Sequence, residues 1–226
     1  MHFLCLHGIG TNSKVFETQT AALRTELGGG HTYDFVEGTI PWKKAPELGS
    51  FFSDDDEYFA YYDPDNPSEM YQAMKDLTMY IEEEGPFDGI LAFSHGACLA
   101  SSLLIAPAFS NGGPRNRISN QLKFAVFIAG GIPACSEALR ENKLEFLTTN
   151  SSSRISIPTA HIWASNDPVG PTMSAVLEAL CVSNLRQVHV HNGGHTVPGR
   201  RSLESLRCTV EAVRRTIEEA SSAAAS

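Results

Sequence analysis

Three residues far apart in a chain of 226 have the side-chain types that acyl transfer requires: Ser94, Asp167 and His195. A serine hydroxyl is a poor nucleophile near neutral pH. An imidazole must take its proton, and a carboxylate must hold the imidazole tautomer and stabilise the imidazolium that forms. Ser94 lies in Ile90-Leu91-Ala92-Phe93-Ser94-His95-Gly96-Ala97-Cys98-Leu99-Ala100, an apolar run that meets small residues at the serine. That composition predicts a strand, a tight turn and a helix, with Ala92 and Gly96 leaving room for the strained turn that lifts a hydroxyl clear of the backbone. The usual spelling is Gly-x-Ser-x-Gly, and here alanine stands at the first glycine. Each residue also has a plainer reading: Ser94 as a helix cap, Asp167 before Pro168 as a turn former, His195 after Gly193-Gly194 as a surface-loop residue. Their order along the chain, nucleophile then acid then histidine, is the order of this triad on an α/β-hydrolase sheet.

The transition state of acyl transfer also needs donors for a developing oxyanion, each worth on the order of 3 kcal/mol. The backbone amide of His95, next after the nucleophile, is one candidate. Ile9 of His7-Gly8-Ile9-Gly10 is the other, and the His7 side chain is expected to brace that loop. The side chain of His95, at the start of a helix, is expected to point away from the line of attack on Ser94. Among eight histidines, His189-x-His191 with His195 offers a metal alternative. No carboxylate or cysteine completes the set at ligand spacing, so no metal is assigned. Gly8-x-Gly10 without a third glycine, and without a Gly-Lys-Ser/Thr loop, calls for no nucleotide cofactor.

These residues need a scaffold that brings strand ends together. His2 to Leu6, Tyr33 to Val36, Gly89 to Phe93, Lys123 to Ala129, Ile155 to Ala164 and Gln187 to His191 read as strands. Helices are expected at Ser13 to Leu27, from a Ser68 cap to Glu84, at His95 to Ile105, near Cys135 to Leu147, at Pro171 to Leu180, and along a final stripe of Leu203, Leu206, Val210, Val213 and Ile217. Asn111-Gly112-Gly113-Pro114 reads as a loop. The alternation predicts an α/β fold of about six mainly parallel strands flanked by helices, with functional loops at the carboxyl ends of strands. Residues 38–67 read as a long irregular stretch rich in aromatics and are expected to form a short cap or lid. Within it Trp42, Phe51, Phe52 and Tyr61, together with Val197 beyond His195, are the candidates to line a substrate pocket. One domain is expected over residues 1–219, with a frayed Ser/Ala tail at 220–226.

Composition narrows the partners. A formal net charge of −9 argues against broad binding to nucleic acid or anionic membranes. No apolar run is long enough to span a bilayer, and the start carries no basic leader. Five scattered cysteines without a C-x-x-C pair read as buried free thiols. The expected setting is cytoplasmic.

Taken together, Leu6-His7-Gly8-Ile9-Gly10-Thr11-Asn12, Phe87 to Ala97, Phe127-Ile128-Ala129-Gly130-Gly131, Ile157 to Ile162 before Asp167-Pro168-Val169, and Gly193-Gly194-His195-Thr196-Val197-Pro198 resemble the eukaryotic "family of serine hydrolases", small α/β-hydrolases frequent in fungi. The resemblance covers nearly the whole chain. It implies Ser94, Asp167 and His195 as the triad and an esterase or thioesterase acting on small-molecule esters or thioesters. Similar fungal proteins release acyl chains from the carrier domain of a polyketide synthase, which would place this chain in secondary metabolism. Two departures stand out, Ala92 for the usual glycine and His95 for the usual glutamine. The altered elbow motivates a rival expectation, a non-catalytic ligand binder on a hydrolase fold; a general carboxylesterase is the nearer alternative.

Overall fold

The computed structural model describes residues 1–106 and 121–223; the expected loop at Asn111 to Pro114 lies outside them. The central sheet comprises β1 (His2–Leu6), β2 (Thr32–Val36), β5 (Gly89–Phe93), β6 (Phe124–Ile128), β7 (Thr159–Ala164) and β8 (Arg186–His191), in the order β2-β1-β5-β6-β7-β8. Every neighbouring pair is parallel. In a parallel sheet both faces are covered, which is why β5 and β6 are continuous apolar runs with every residue buried.

The side chains divide by the two-residue period of a strand. Phe3, Cys5, Leu91, Phe93, Val126 and Ile128 pack with Phe16 and Leu23 of α1 (Ser13–Leu27) and with Leu206, Val210 and Val213 of α6 (Leu203–Ala223). Leu4, Leu6, Ile90, Ala92, Ala125 and Phe127 pack on the other face with Met70, Met74, Leu77 and Ile81 of α2 (Pro67–Glu84) and with Leu99 and Leu103 of α3 (His95–Ile105). Each fully buried side chain of this size contributes about 1.5–3 kcal/mol, so the two helical layers hold the sheet and its strand ends rigid. Asn12 starts α1 by accepting a hydrogen bond from the Val15 amide at 2.7 Å.

Several boundaries differ from the sequence expectation. Asn66, not Ser68, caps α2, accepting from the Glu69 amide, with Pro67 at the first helical position. The segment 135–147 is helical only over α4 (Ser136–Arg140), after which Asn142 adopts a φ of +58° and Phe146 forms a bridge to Ala134. β7 begins at Thr159 because Pro158 has no N–H to give a ladder, while Ile155 bridges to Cys181. α5 spans Pro171–Ala179. In α6 the buried stripe runs from Leu206 to Ala220, Leu203 is 70% exposed, and the helix continues through Ala223, beyond the expected domain end at 219.

The stretch 38–67 is not irregular throughout. β3 (Ile40–Pro41) pairs antiparallel with β4 (Phe59–Ala60), and one 3₁₀ turn covers Pro46–Leu48. The loop after β1 is hydrogen-bonded into this small sheet: Gly10 N–H donates to Phe59 O, Phe59 N–H to Thr11 O and Ala45 N–H to Gly10 O, at 2.8–2.9 Å. Gly10 has a φ of +66°, and a Cβ there would stand 2.5 Å from Lys43 O, so only glycine fits the junction.

Candidate active site

Ser94 occupies the turn between β5 and α3 with φ 51° and ψ −113°, a conformation that costs a non-glycine residue about 1–3 kcal/mol. The surrounding hydrogen bonds hold it there. The Ser94 amide donates to Ile128 O at 2.9 Å, and Ser94 O accepts from the Cys98 amide at 3.0 Å. α3 comes close enough for this because residue 96 is glycine; a Cβ would lie 2.6 Å from His7 O and 2.7 Å from Leu6 O. The positive φ falls on Ser94, while Ala92 is an ordinary, fully buried β5 residue paired with Leu6 and Phe127. Alanine at the first elbow position therefore imposes no backbone strain.

Although Ser94 stands at the N-cap position of α3, its side chain makes no capping hydrogen bond. Its Oγ instead lies 2.8 Å from His195 Nε2, and His195 Nδ1 lies 2.7 Å from Asp167 Oδ2. With the Nδ1 proton donated to the carboxylate, Nε2 is left to accept from the serine hydroxyl. The other carboxylate oxygen of Asp167 accepts from the Val169 amide at 2.8 Å, and only 6% of Asp167 is exposed. The His195 ring packs on Phe93 with centroids 5.1 Å apart. Three strand-end loops, after β5, β7 and β8, thus converge on one hydrogen-bonded path.

Asn166, which sequence reasoning passed over, ties the two later loops together. Its Oδ1 accepts from the Gly194 amide at 3.0 Å and its Nδ2 donates to Asn192 O at 2.9 Å. Gly194 takes a φ of +68°, which turns the chain back toward Ser94. An asparagine beside an aspartate in a polar loop carries no periodic signal that would mark this bridge.

The two amides expected to meet an oxyanion, those of Ile9 and His95, have no hydrogen-bond partner among the described residues. Ile9 lines the small cavity at Ser94. His7 braces its loop: Nδ1 lies 2.7 Å from Gly8 O and Nε2 accepts from the Gly38 amide at 2.9 Å. The His95 side chain points into the interior, where Nε2 accepts from the Tyr61 amide at 3.3 Å and the ring lies 4.1 Å from that of Tyr62. Burial, with a smaller contribution from His7, pushes its pKa down to about 3, so the ring is neutral.

A cavity of about 170 Å³ at Ser94 is lined by Gly8, Ile9, Trp42, Phe93 and Val169, among others. At Gln19, Glu47, Leu48 and His195 it meets an open groove of about 810 Å³. Of the expected lining residues, Trp42 lies in the cavity, and Phe51, Phe52 and Val197 line the groove. Tyr61 belongs to neither. Its hydroxyl is turned inward, accepting from the His7 amide and donating to Val36 O, both at 2.9 Å, and burial pushes its pKa well up. Gln19, Glu47, Leu48 and Val169 escaped the sequence reading because only chain folding brings them to the site. Among the described residues no group of His, Cys, Asp or Glu could hold a metal ion, and His189 instead lies 2.9 Å from Ser205 Oγ.

A family model described as Serine hydrolase (FSH1) matches residues 1–205. The chain is 38% identical over 224 residues to esterase FPY3 of Fusarium mangiferae, covering 97% of this chain and 98% of that one. It is 26% identical over 220 residues to thioesterase FSL2 of Gibberella zeae, covering 86% and 84%. Among solved structures it is similar to Arabidopsis thaliana SOBER1, with a TM-score of 0.59 at 17% identity, covering 96% of this chain and 99% of that one. It is also similar to Zea mays acyl-protein thioesterase 2, with a TM-score of 0.58 at 19% identity, covering 96% and 93%. At such identities those two speak for the α/β-hydrolase fold alone. The match over residues 1–205 and the similarity to the Fusarium esterase together assign the chain to the serine hydrolase (FSH1) family.

Proposed function

We propose that Ser94, His195 and Asp167 are the nucleophile, general base and orienting acid of an ester or thioester hydrolase. His195 Nε2 takes the Ser94 proton as Oγ attacks the carbonyl carbon, and the resulting oxyanion is received by the amides of Ile9 and His95. Collapse of the tetrahedral intermediate breaks the bond to the leaving oxygen or sulfur, which takes the proton from His195 and leaves an acyl-Ser94. Water then repeats the sequence: His195 accepts its proton, the hydroxide adds to the acyl carbon, and collapse returns the proton to Ser94 and frees the acid. Asp167 holds the imidazole throughout and stabilises its charged form.

The observation that carries this reading is the continuous path from Ser94 Oγ to His195 to Asp167, at 2.8 and 2.7 Å, starting from a serine in a strained turn. The names of the esterase and thioesterase relatives support an ester or thioester as the substrate class; an acyl or polyketide chain handed over by an acyl carrier domain, in secondary metabolism, is the finer part of the proposal and rests on the family resemblance. The free cysteines support a cytoplasmic setting. A fluorophosphonate probe tests the core of the proposal. It should label the intact protein once, on Ser94, and Ser94→Ala should lose both labelling and turnover of p-nitrophenyl and thioester substrates. Equal labelling of that variant would overturn the assignment.

A further inference from the structure

The groove that opens from the Ser94 cavity holds two cationic side chains that hydrolysis itself does not use. Arg200 and Arg201, both exposed, line it, and among the described residues neither has an ion-pair or hydrogen-bond partner. Lys44, Lys123, Arg186 and Arg215 each face a carboxylate, whereas Lys14 and Arg207 share, among the described residues, the unpaired state of the two groove arginines but lie outside the groove. In a chain of net charge −9, two uncommitted guanidinium groups in one groove are a local reversal of sign. Glu47 is the one carboxylate among the lining residues.

A histidine completes the polar lining. His191 Nδ1 accepts from the Gly193 amide at 3.0 Å, which puts the ring proton on Nε2. That Nε2–H is buried without an acceptor, in the same lining. The groove shares Gln19, Glu47, Leu48 and His195 with the Ser94 cavity, so a substrate with its carbonyl at Ser94 can extend into it. Phe51, Phe52 and Val197 offer apolar surface along the way.

We propose that this groove recognises an anionic group, phosphate or carboxylate, carried by the ester or thioester at the end remote from the bond that is cleaved, with Arg200 and Arg201 as its partners. Both anions accept the planar, forked hydrogen bonding of a guanidinium. The inference rests on the acyl-hydrolase reading of Ser94, because that reading fixes which end of the substrate enters the groove.

Two matched pairs of substrates separate the sources of charge. S-octanoyl phosphopantetheine against S-octanoyl pantetheine places a phosphate on the leaving-group side; the p-nitrophenyl monoester of suberic acid against p-nitrophenyl octanoate places a carboxylate on the acyl side. In at least one pair the charged member should have the higher kcat/KM by roughly fivefold, as expected for exposed charge pairs, through KM rather than kcat. The preference should shrink in high salt, vanish in R200A/R201A and invert in R200E/R201E. Binding is read separately with Ser94→Ala, which should hold phosphopantetheine or suberate more tightly than its uncharged counterpart in calorimetry. If Ser94-dependent turnover is present and neither pair shows a charge preference sensitive to the arginines, the anion site is wrong and the hydrolase reading stands. If Ser94 takes no fluorophosphonate label, the hydrolase reading fails, and this inference with it.

Discussion

The distances about His195 imply a specific hierarchy of losses. Asp167→Asn keeps the volume but reverses the hydrogen bonding available at Nδ1, so the imidazole is driven to the tautomer that cannot accept the Ser94 proton. A fall in kcat of about 10⁴-fold with KM little changed is expected, read by steady-state kinetics on an activated ester. Asn166→Ala removes only the clamp between the loops after β7 and β8. It should lower kcat by roughly 10-fold through looser placement of His195, with the fluorophosphonate rate falling in proportion. The convergence of Ser94, His195 and Asp167, whose roles as a triad are the proposal, was legible in the sequence because three chemically distinct residue types stood in the order of a known sheet topology. Asn166 and Gln19 were not, since neither chemistry nor spacing separates them from ordinary loop and helix residues. Tyr61 was misread for a related reason: aromatic content announces packing, but whether the ring faces substrate or interior depends on partners such as the His7 amide and Val36 O, which lie elsewhere in the chain.

Among the elements, the contact of α3 with the end of β1 is the least tolerant. A methyl group at Gly96 meets backbone carbonyls at 2.6 and 2.7 Å, and backbone cannot rotate away as a side chain can. Gly96→Ala should cost about 1–3 kcal/mol of stability, seen as a lower denaturant midpoint, and should move the Ser94 turn enough to slow labelling. Tyr61→Phe deletes the hydroxyl that meets both the His7 amide and Val36 O, leaving a buried donor and acceptor unmatched. A loss of about 1–3 kcal/mol is expected, with weaker turnover because the loop carrying Ile9 loosens. The elements most readily read from sequence were those with long single-period patterns: β5 and β6 as unbroken apolar runs, and α1 with Phe16, Thr20, Leu23 and Leu27 on one face. The cap was read as irregular because β3 and β4 are two residues each, shorter than any window in which alternation shows. The segment 135–147 failed in the opposite sense, a helix-compatible composition cut short where the chain turns at Asn142 to let Phe146 return to Ala134.

At the scale of the whole molecule, two buried histidines set how the fold responds to acid. Burial, with a small contribution from Arg186, pushes His161 down to about 3, and His95 sits equally low. Both have an ordinary value of 6.5 when exposed in the unfolded chain. Between those limits the unfolded chain binds protons that the folded protein excludes, so stability is greatest above about pH 6.5 and declines as pH falls toward 3. Urea midpoints measured from pH 7 to pH 4 should fall steadily, and His161→Phe should flatten that slope; an unchanged slope would mean that His161 is not held neutral in the fold.

The three backbone hydrogen bonds joining Gly10, Thr11, Ala45 and Phe59 have an outcome for evolution and for engineering alike. The segment whose Trp42, Phe51 and Phe52 line the cavity and groove is also the scaffold of the loop proposed to steady the reaction's negative charge, so selectivity cannot be retuned there without touching speed. Transplanting residues 38–67 from a relative, with Trp42 kept, should therefore shift turnover even for the smallest acetate esters, which do not extend to Phe51 and Phe52 in the groove.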